Sequence, residues 1–186
     1  PLNDTQFFRQ NYLSQVQFEE SRQLQSNIKE KVIVAVIDTG VDDQHEDLKN
    51  RMWTDANGYH GYNFAYDSYN TFDDSGHGTH VAGIIAAEHG NAFATAGLSS
   101  QYIEIMALKA MDDRGRGSTN HFFDSIQFAI ANGAEVINLS VEGIGRNPSL
   151  EEAITDAVNQ GVVVVLAAGN QGKENSSRRL FAPAYI

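Results

Sequence analysis

Val32-Ile33-Val34-Ala35-Val36-Ile37-Asp38-Thr39-Gly40 sets an unbroken, mostly β-branched apolar run directly against an acid and a glycine. A strand wetted on one face alternates apolar and polar residues, so a continuous run predicts a strand buried on both faces. Strand candidates of similar texture follow at 103–108, 135–139 and 162–167, and helical segments lie between them. Residues 79–88 are small and apolar, and Ala82, Gly83 and Ala86 are expected to let that helix approach the sheet closely. Residues 118–132 carry Ser118 as N-cap, Phe122, Ile126 and Ala129 at helical spacing, and Gly133 as a stop. Residues 149–160 open on Ser149 and Glu152 as a capping box and end at Gly161. A short helix is expected near 17–25. Strands alternating with helices predict βαβ units with right-handed crossovers. The expected fold is α/β, with three layers: a mostly parallel β-sheet and helices on both faces. Residues 1–30 read as an irregular N-terminal arm and 31–186 as the βαβ core.

In such sheets, ligands gather outside the carboxyl ends of the strands, so chemistry is expected just after each apolar run. Asp38-Thr39-Gly40 after the first run is by itself ambiguous. An acid there can bind a ribose or a metal, and aspartic proteases also place Asp-Thr-Gly after an apolar run. The segment Asp74-Ser75-Gly76-His77-Gly78-Thr79-His80-Val81-Ala82-Gly83 is more specific. Glycines on both sides leave the His77 imidazole open at a helix entrance, as a general base must be to reach a nucleophile and a leaving group. A lone loop histidine is usually a surface or capping residue; this one follows an Asp-Thr-Gly in a longer pattern. The last run ends in Ala167-Ala168-Gly169-Asn170, where the amide of Asn170 is either a turn residue or a donor to an oxyanion.

Composition narrows the class further. Hydrophobic residues at 41% and charged residues at 20% fit a globular chain of 186 residues and argue against disorder. The net charge of −11 repels phosphate backbones and anionic bilayers, so neither nucleic acid nor membrane is an expected partner. Cysteine is absent, which excludes disulfides, thiol nucleophiles and cysteine-held metals. No apolar run reaches the length of a membrane span. Residues 1–10 show neither the basic nor the apolar region of a signal peptide, so an exported form would be a processed one.

Taken in order, Val-Ile-Asp-Thr-Gly-Val-Asp, Gly-His-Gly-Thr-His-Val-Ala-Gly, Val-Ile-Asn-Leu-Ser and Ala-Ala-Gly-Asn resemble the subtilisin-like serine proteases, the subtilases. Asn3-Asp4-Thr5-Gln6-Phe7 is similar to a mature amino terminus of that family. The resemblance implies the amino-terminal part of one catalytic domain of a secreted or periplasmic endopeptidase that acts on polypeptides and is made with a pro-segment. Asp38 would then orient His77 and stabilise its imidazolium. His77 would take the proton of a serine and pass it to the leaving amine, and Asn170 would face the oxyanion. His80 matches a second family histidine, expected to be packed and structural. Extended substrate would lie between two edges by strand addition: Gly115, Arg116 and Gly117 on one side, and Ser140, Val141, Glu142 and Gly143 with Ala168 and Gly169 on the other. Glu142 replaces a small residue, and its carboxylate would favour a basic side chain at P1 or else point to solvent. Structural calcium is implied too, with Asp47 as one ligand and Asn91 and carbonyls of the 88–97 loop as others. Asp42, Asp43, Asp73 and Asp74 read as solvated acids or local turn caps.

The family's serine segment, Gly-Thr-Ser-x-Ala-x-Pro, does not occur, and Ser176 and Ser177 lack the small neighbours that expose a nucleophile. The expectation is a truncated domain completed by a C-terminal fragment that carries the serine. The rival is a protease-like scaffold that binds peptide without turnover. An aspartic protease would instead be all-β, and a zinc hydrolase on His77 and His80 lacks an HExxH pattern.

Overall fold

A computed structural model describes residues 2–25, 28–99, 101–142 and 147–170. Its centre is a five-stranded, wholly parallel sheet in the order β2-β3-β1-β4-β5. The strands are β1 Val32–Asp38, β2 Gly61–Asn63, β3 Ile103–Lys109, β4 Val136–Leu139 and β5 Val163–Leu166. The chain first builds outward from β1 on one side, through β2 and β3, and then crosses to the other side for β4 and β5. Right-handed crossovers put the connecting helices on opposite faces when the direction of building reverses. Helix α3, His77–Ala86, accordingly covers one face, and α4, Thr119–Ala131, and α5, Pro148–Asn159, cover the other.

Alternate residues of β1 serve the two cores. Ala35 and Ile37 pack with Phe122, Ile126, Leu150 and Ile154 of α4 and α5, whereas Val34 and Val36 pack with Ala82 and Ala86 of α3. The apolar run is therefore a strand buried on both faces, as its composition predicts. At the other extreme β5 is an edge strand among the described residues, with Val163 and Val165 about half exposed.

Two local readings are corrected. Asn147, not Ser149, caps α5: its side chain accepts the Leu150 N–H at 3.0 Å, with Pro148 in the first turn. Proline there loses no helical hydrogen bond and presets φ, so the start moves two residues earlier than a Ser149–Glu152 box would place it. Gly83 does not bring α3 onto the sheet, since a Cβ built on it meets nothing within 4 Å. The close approach belongs to Gly78, Ala82 and Ala86, all buried. The cap at Ser118 is as expected: Ser118 Oγ accepts from the His121 N–H at 3.3 Å, and His121 Nδ1 accepts the Ser118 N–H. The arm holds two short helices, α1 Tyr12–Gln15 and α2 Phe18–Leu24, the second close to its expected place.

Candidate active site

Asp38 is the last residue of β1, the strand where the order reverses, and is fully buried. Its carbonyl accepts the N–H groups of Ala110 and Met111 just past β3, so its backbone cannot drift. Gly40 then turns the chain at φ +108°, where a side chain would run into the carbonyls of Thr71 and Phe72. The Asp38 carboxylate takes the Thr39 N–H at 2.7 Å on Oδ1, and its Oδ2 has no hydrogen-bond partner among the described residues. Burial pushes this carboxyl above its ordinary 3.8; the hydrogen bonds from His77 and Thr39 pull it back only in part.

His77 opens α3 after Gly76, which is in the left-handed region. Its Nδ1 lies 2.6 Å from Asp38 Oδ1, while half of the side chain remains exposed. With Asp38 ionised, Nδ1 must be the donor, so Nε2 is left as an acceptor. The helix start fits against the strand end because residue 78 is glycine. A methyl there would collide with the Gly40 carbonyl and sit 3.1 Å from Asp38 Cβ.

A cleft of about 620 Å³ opens in front of His77. Gly115, Ser140, Val141, Glu142, Ala168, Gly169 and Asn170 line it, as do Asp113 and Arg114, which sequence reasoning missed. Arg116 and Gly117 are not in its wall. The Arg116 guanidinium turns back onto Asp112 at 3.1 and 3.3 Å, and Gly117 packs beneath the Ala110 carbonyl and Phe122. Gly143 lies outside the described residues. Glu142 Oε2 accepts the backbone N–H of Asn170 at 2.7 Å, tying together the segments that follow β4 and β5.

Asp73 caps its local turn through the Ser75 and Gly76 N–H groups, one of its two expected readings, but it is buried and densely hydrogen-bonded rather than solvated. Burial pushes its carboxyl up, but donors from Thr79, Gly76 and Thr39 outweigh that and hold it below 3.8. Lys109, also buried, donates to the Thr39 carbonyl and to Asp74 Oδ1, the latter at 2.7 Å. His80 is exposed, not packed. Asp47 and Asn91 do come together, with Asn91 Nδ2 donating to Asp47 Oδ1 at 2.8 Å.

A buried carboxylate thus holds an imidazole at the mouth of a cleft, at the switch point of a parallel sheet. The subtilase family model matches residues 29–185, and the chain belongs to that family. It is 44% identical over 151 residues to a thermophilic serine proteinase of Bacillus sp. (strain AK1), covering 81% of this chain and 35% of that protein. It is 40% identical over 159 residues to a cell wall-associated protease of Bacillus subtilis (strain 168), covering 85% and 17%. With subtilisin amylosacchariticus of Bacillus subtilis subsp. amylosacchariticus it shares 38% over 160 residues, covering 86% and 38%. The chain thus spans well under half the length of each of these three relatives. Among the described residues, no helix is long and apolar enough to cross a membrane.

Proposed function

We propose that this chain supplies the acid, the general base and the oxyanion donor of a serine endopeptidase acting on extended polypeptide. The observation that carries the reading is the 2.6 Å contact between His77 Nδ1 and buried Asp38, with the rest of the ring open to the cleft that Asn170 also lines. In this reading His77 Nε2 takes the serine proton as the hydroxyl oxygen attacks the scissile carbonyl. The same proton then goes to the leaving amine as the carbon–nitrogen bond breaks. Asp38 holds the ring in one tautomer and offsets the charge it acquires. Asn170 donates to the carbonyl oxygen as it becomes an oxyanion. In subtilisin itself, loss of a side-chain donor in this role costs about 10²–10³ in kcat.

The nucleophile belongs to a serine-bearing segment that the 186-residue sequence does not contain, in keeping with the share of its relatives that this chain spans. Substrate lies between residues 113–115 and 140–142. Secretion, made with a pro-segment, is part of the same proposal, supported by the family. Nucleic acid and membrane surfaces are not partners in it, given the net charge of −11.

Structural calcium is proposed at Asp47. That carboxylate is only 2% exposed, yet its partners are the neutral donors Asn91 Nδ2 and Thr95 N–H, and no lysine or arginine pairs with it among the described residues. A buried charge left to neutral donors favours a cation. Asp47, the Asn91 amide oxygen after a half-turn and carbonyls of the 88–97 loop would hold it, and the ion would supply the missing positive charge.

The test uses the intact protein with a chromogenic peptide and a serine-directed phosphonylating reagent. The expected result is stoichiometric labelling with loss of hydrolysis, and a fall of at least ~10⁴-fold in kcat for His77→Ala, as large as losses known from subtilisin. Hydrolysis that survives both treatments would falsify the reading. Peptide binding with no turnover would favour the binding scaffold.

A further inference from the structure

We propose that Asp73 is a positioning residue that sets the geometry of the Asp38–His77 pair by clamping three separate segments of chain to one carboxylate. The assignment rests on where its two oxygens go. Oδ1 accepts the Thr39 hydroxyl at 2.8 Å, the Ser75 N–H at 3.0 Å and the Gly76 N–H at 2.9 Å. Oδ2 accepts the Thr79 N–H at 2.8 Å and the Thr79 hydroxyl at 2.7 Å. A carboxylate offers about four lone-pair directions, so this one is saturated.

Both hydroxyls pass the constraint on. Thr39 Oγ1, having donated to Asp73, accepts the Gly78 N–H at 3.0 Å. Thr79 Oγ1 likewise accepts the Asp42 N–H at 2.9 Å. The strand-end turn carrying Asp38 is thereby tied to Gly78 and Thr79, the two residues that follow His77, and Ser75 and Gly76 fix the loop leading into it. His77 itself makes no hydrogen bond to Asp73 among the described residues. Its one side-chain hydrogen bond there is to Asp38. The ring is therefore placed by its backbone, and the backbone by Asp73. Charge-assisted hydrogen bonds of this kind are short and directional, which suits a clamp that must hold a 2.6 Å contact.

This inference deepens the proposed function, since it names what aligns the general base, but its geometric readout does not depend on turnover. The experiment is proton NMR of the intact protein, following the low-field His77 Nδ1–H resonance in Asp73→Asn, Thr79→Val and Asp43→Asn. Asp73→Asn puts an amide nitrogen against N–H donors. Thr79→Val keeps every charge and removes one hydroxyl that touches neither Asp38 nor His77. Asp43→Asn removes a negative charge from the segment that follows β1, where Asp43 Oδ1 accepts from Gln44 Nε2. The expected result is that the resonance moves upfield or broadens in the first two variants and stays in place in the third. Where peptide hydrolysis is measurable, kcat falls by up to about 10²-fold with KM little changed, the size expected for a misplacement of about 1 Å.

An unmoved resonance in folded Asp73→Asn and Thr79→Val overturns the clamp. So does a shift shared by Asp73→Asn and Asp43→Asn but absent from Thr79→Val, which would be a charge effect alone. Should Asp73→Asn fail to fold, Thr79→Val decides. An intact protein that shows the resonance changes but never hydrolyses peptide would refute the proposed function and leave the clamp standing.

Discussion

Helix α3 contains two glycines for which the same substitution should have opposite effects. In Gly78→Ala, the new methyl would penetrate the Gly40 carbonyl and lie 3.1 Å from Asp38 Cβ and 3.2 Å from Asp38 Oδ1. Backbone and a short buried side chain cannot swing aside, so the helix start must retreat by about 1 Å to restore ordinary contact. Overpacking of this kind costs about 1–3 kcal/mol. A retreat of about 1 Å would also stretch the Gly78 N–H bond to Thr39, now 3.0 Å, and the His77 contact to Asp38, now 2.6 Å, beyond the range in which such bonds hold. In Gly83→Ala, the methyl meets nothing within 4 Å, and φ is not positive. There, helix propensity acts alone and stabilises by about 0.8–1 kcal/mol. Urea unfolding of both variants gives the comparison, with the midpoint falling for Gly78→Ala, rising for Gly83→Ala, and the slope unchanged in each. A Gly78→Ala midpoint at or above the parent's would refute the steric account of how the pair is brought together.

The corrected cap of α5 predicts that Asn147→Ala costs about 1 kcal/mol in thermal or urea unfolding, while Ser149→Ala stays within about 0.5 kcal/mol. The two buried acids predict opposite trends with pH. Asp73 is held below 3.8, so its contribution is complete above 3.8 and lost as pH falls, and the stability gap between parent and Asp73→Asn narrows in acid. Asp38 is held above 3.8, so its contribution declines as pH rises from 3.8 through its folded value. The parent therefore gains on Asp38→Asn as pH falls, and unfolding at a series of pH values should show the two gaps moving in opposite directions. For the calcium proposal, a chelator should lower the unfolding temperature of the parent and leave Asp47→Asn unmoved; an unchanged parent rules the ion out.

What was legible in the sequence was whatever a local pattern encodes. The run at 32–37 had to be buried on both faces because nothing polar interrupts it, and 103–108 shares its texture apart from Glu104 near its start. His77 announced itself through the glycines that flank it on both sides. What was not legible depended on partners far along the chain. A three-residue strand, Gly61–Asn63, has too little sequence to show a period, and only pairing with β3 defines it. Asp73 resembled any loop acid, since the Thr39 hydroxyl that it accepts lies 34 residues away. Gly83 and Gly78 look alike in a string, and only the packed helix shows which faces the strand end. Arg116 read as a cleft residue because its anchor, Asp112, binds the guanidinium only once the loop has turned at Gly115.

The parallel register explains why so much charge can gather under one turn. It sets Asp38 directly beside Lys109 at the carboxyl ends of β1 and β3. Lys109 is almost fully buried, and its ammonium serves the Thr39 carbonyl and Asp74 rather than Asp38. Asp74 remains substantially exposed, so that pair is partly solvated. Asp73 is saturated by N–H and hydroxyl donors. The exception is Asp38, with one oxygen shared by Thr39 and His77 and the other unpartnered among the described residues. Burial that is not fully compensated makes this carboxylate the group with most to gain from a nearby positive charge. In the proposed mechanism that charge appears on His77 as it accepts a proton, so the acid left short of partners is the one whose partner becomes charged during the reaction. Saturating Asp38 as Asp73 is saturated would stabilise the resting fold and weaken its response to the imidazolium.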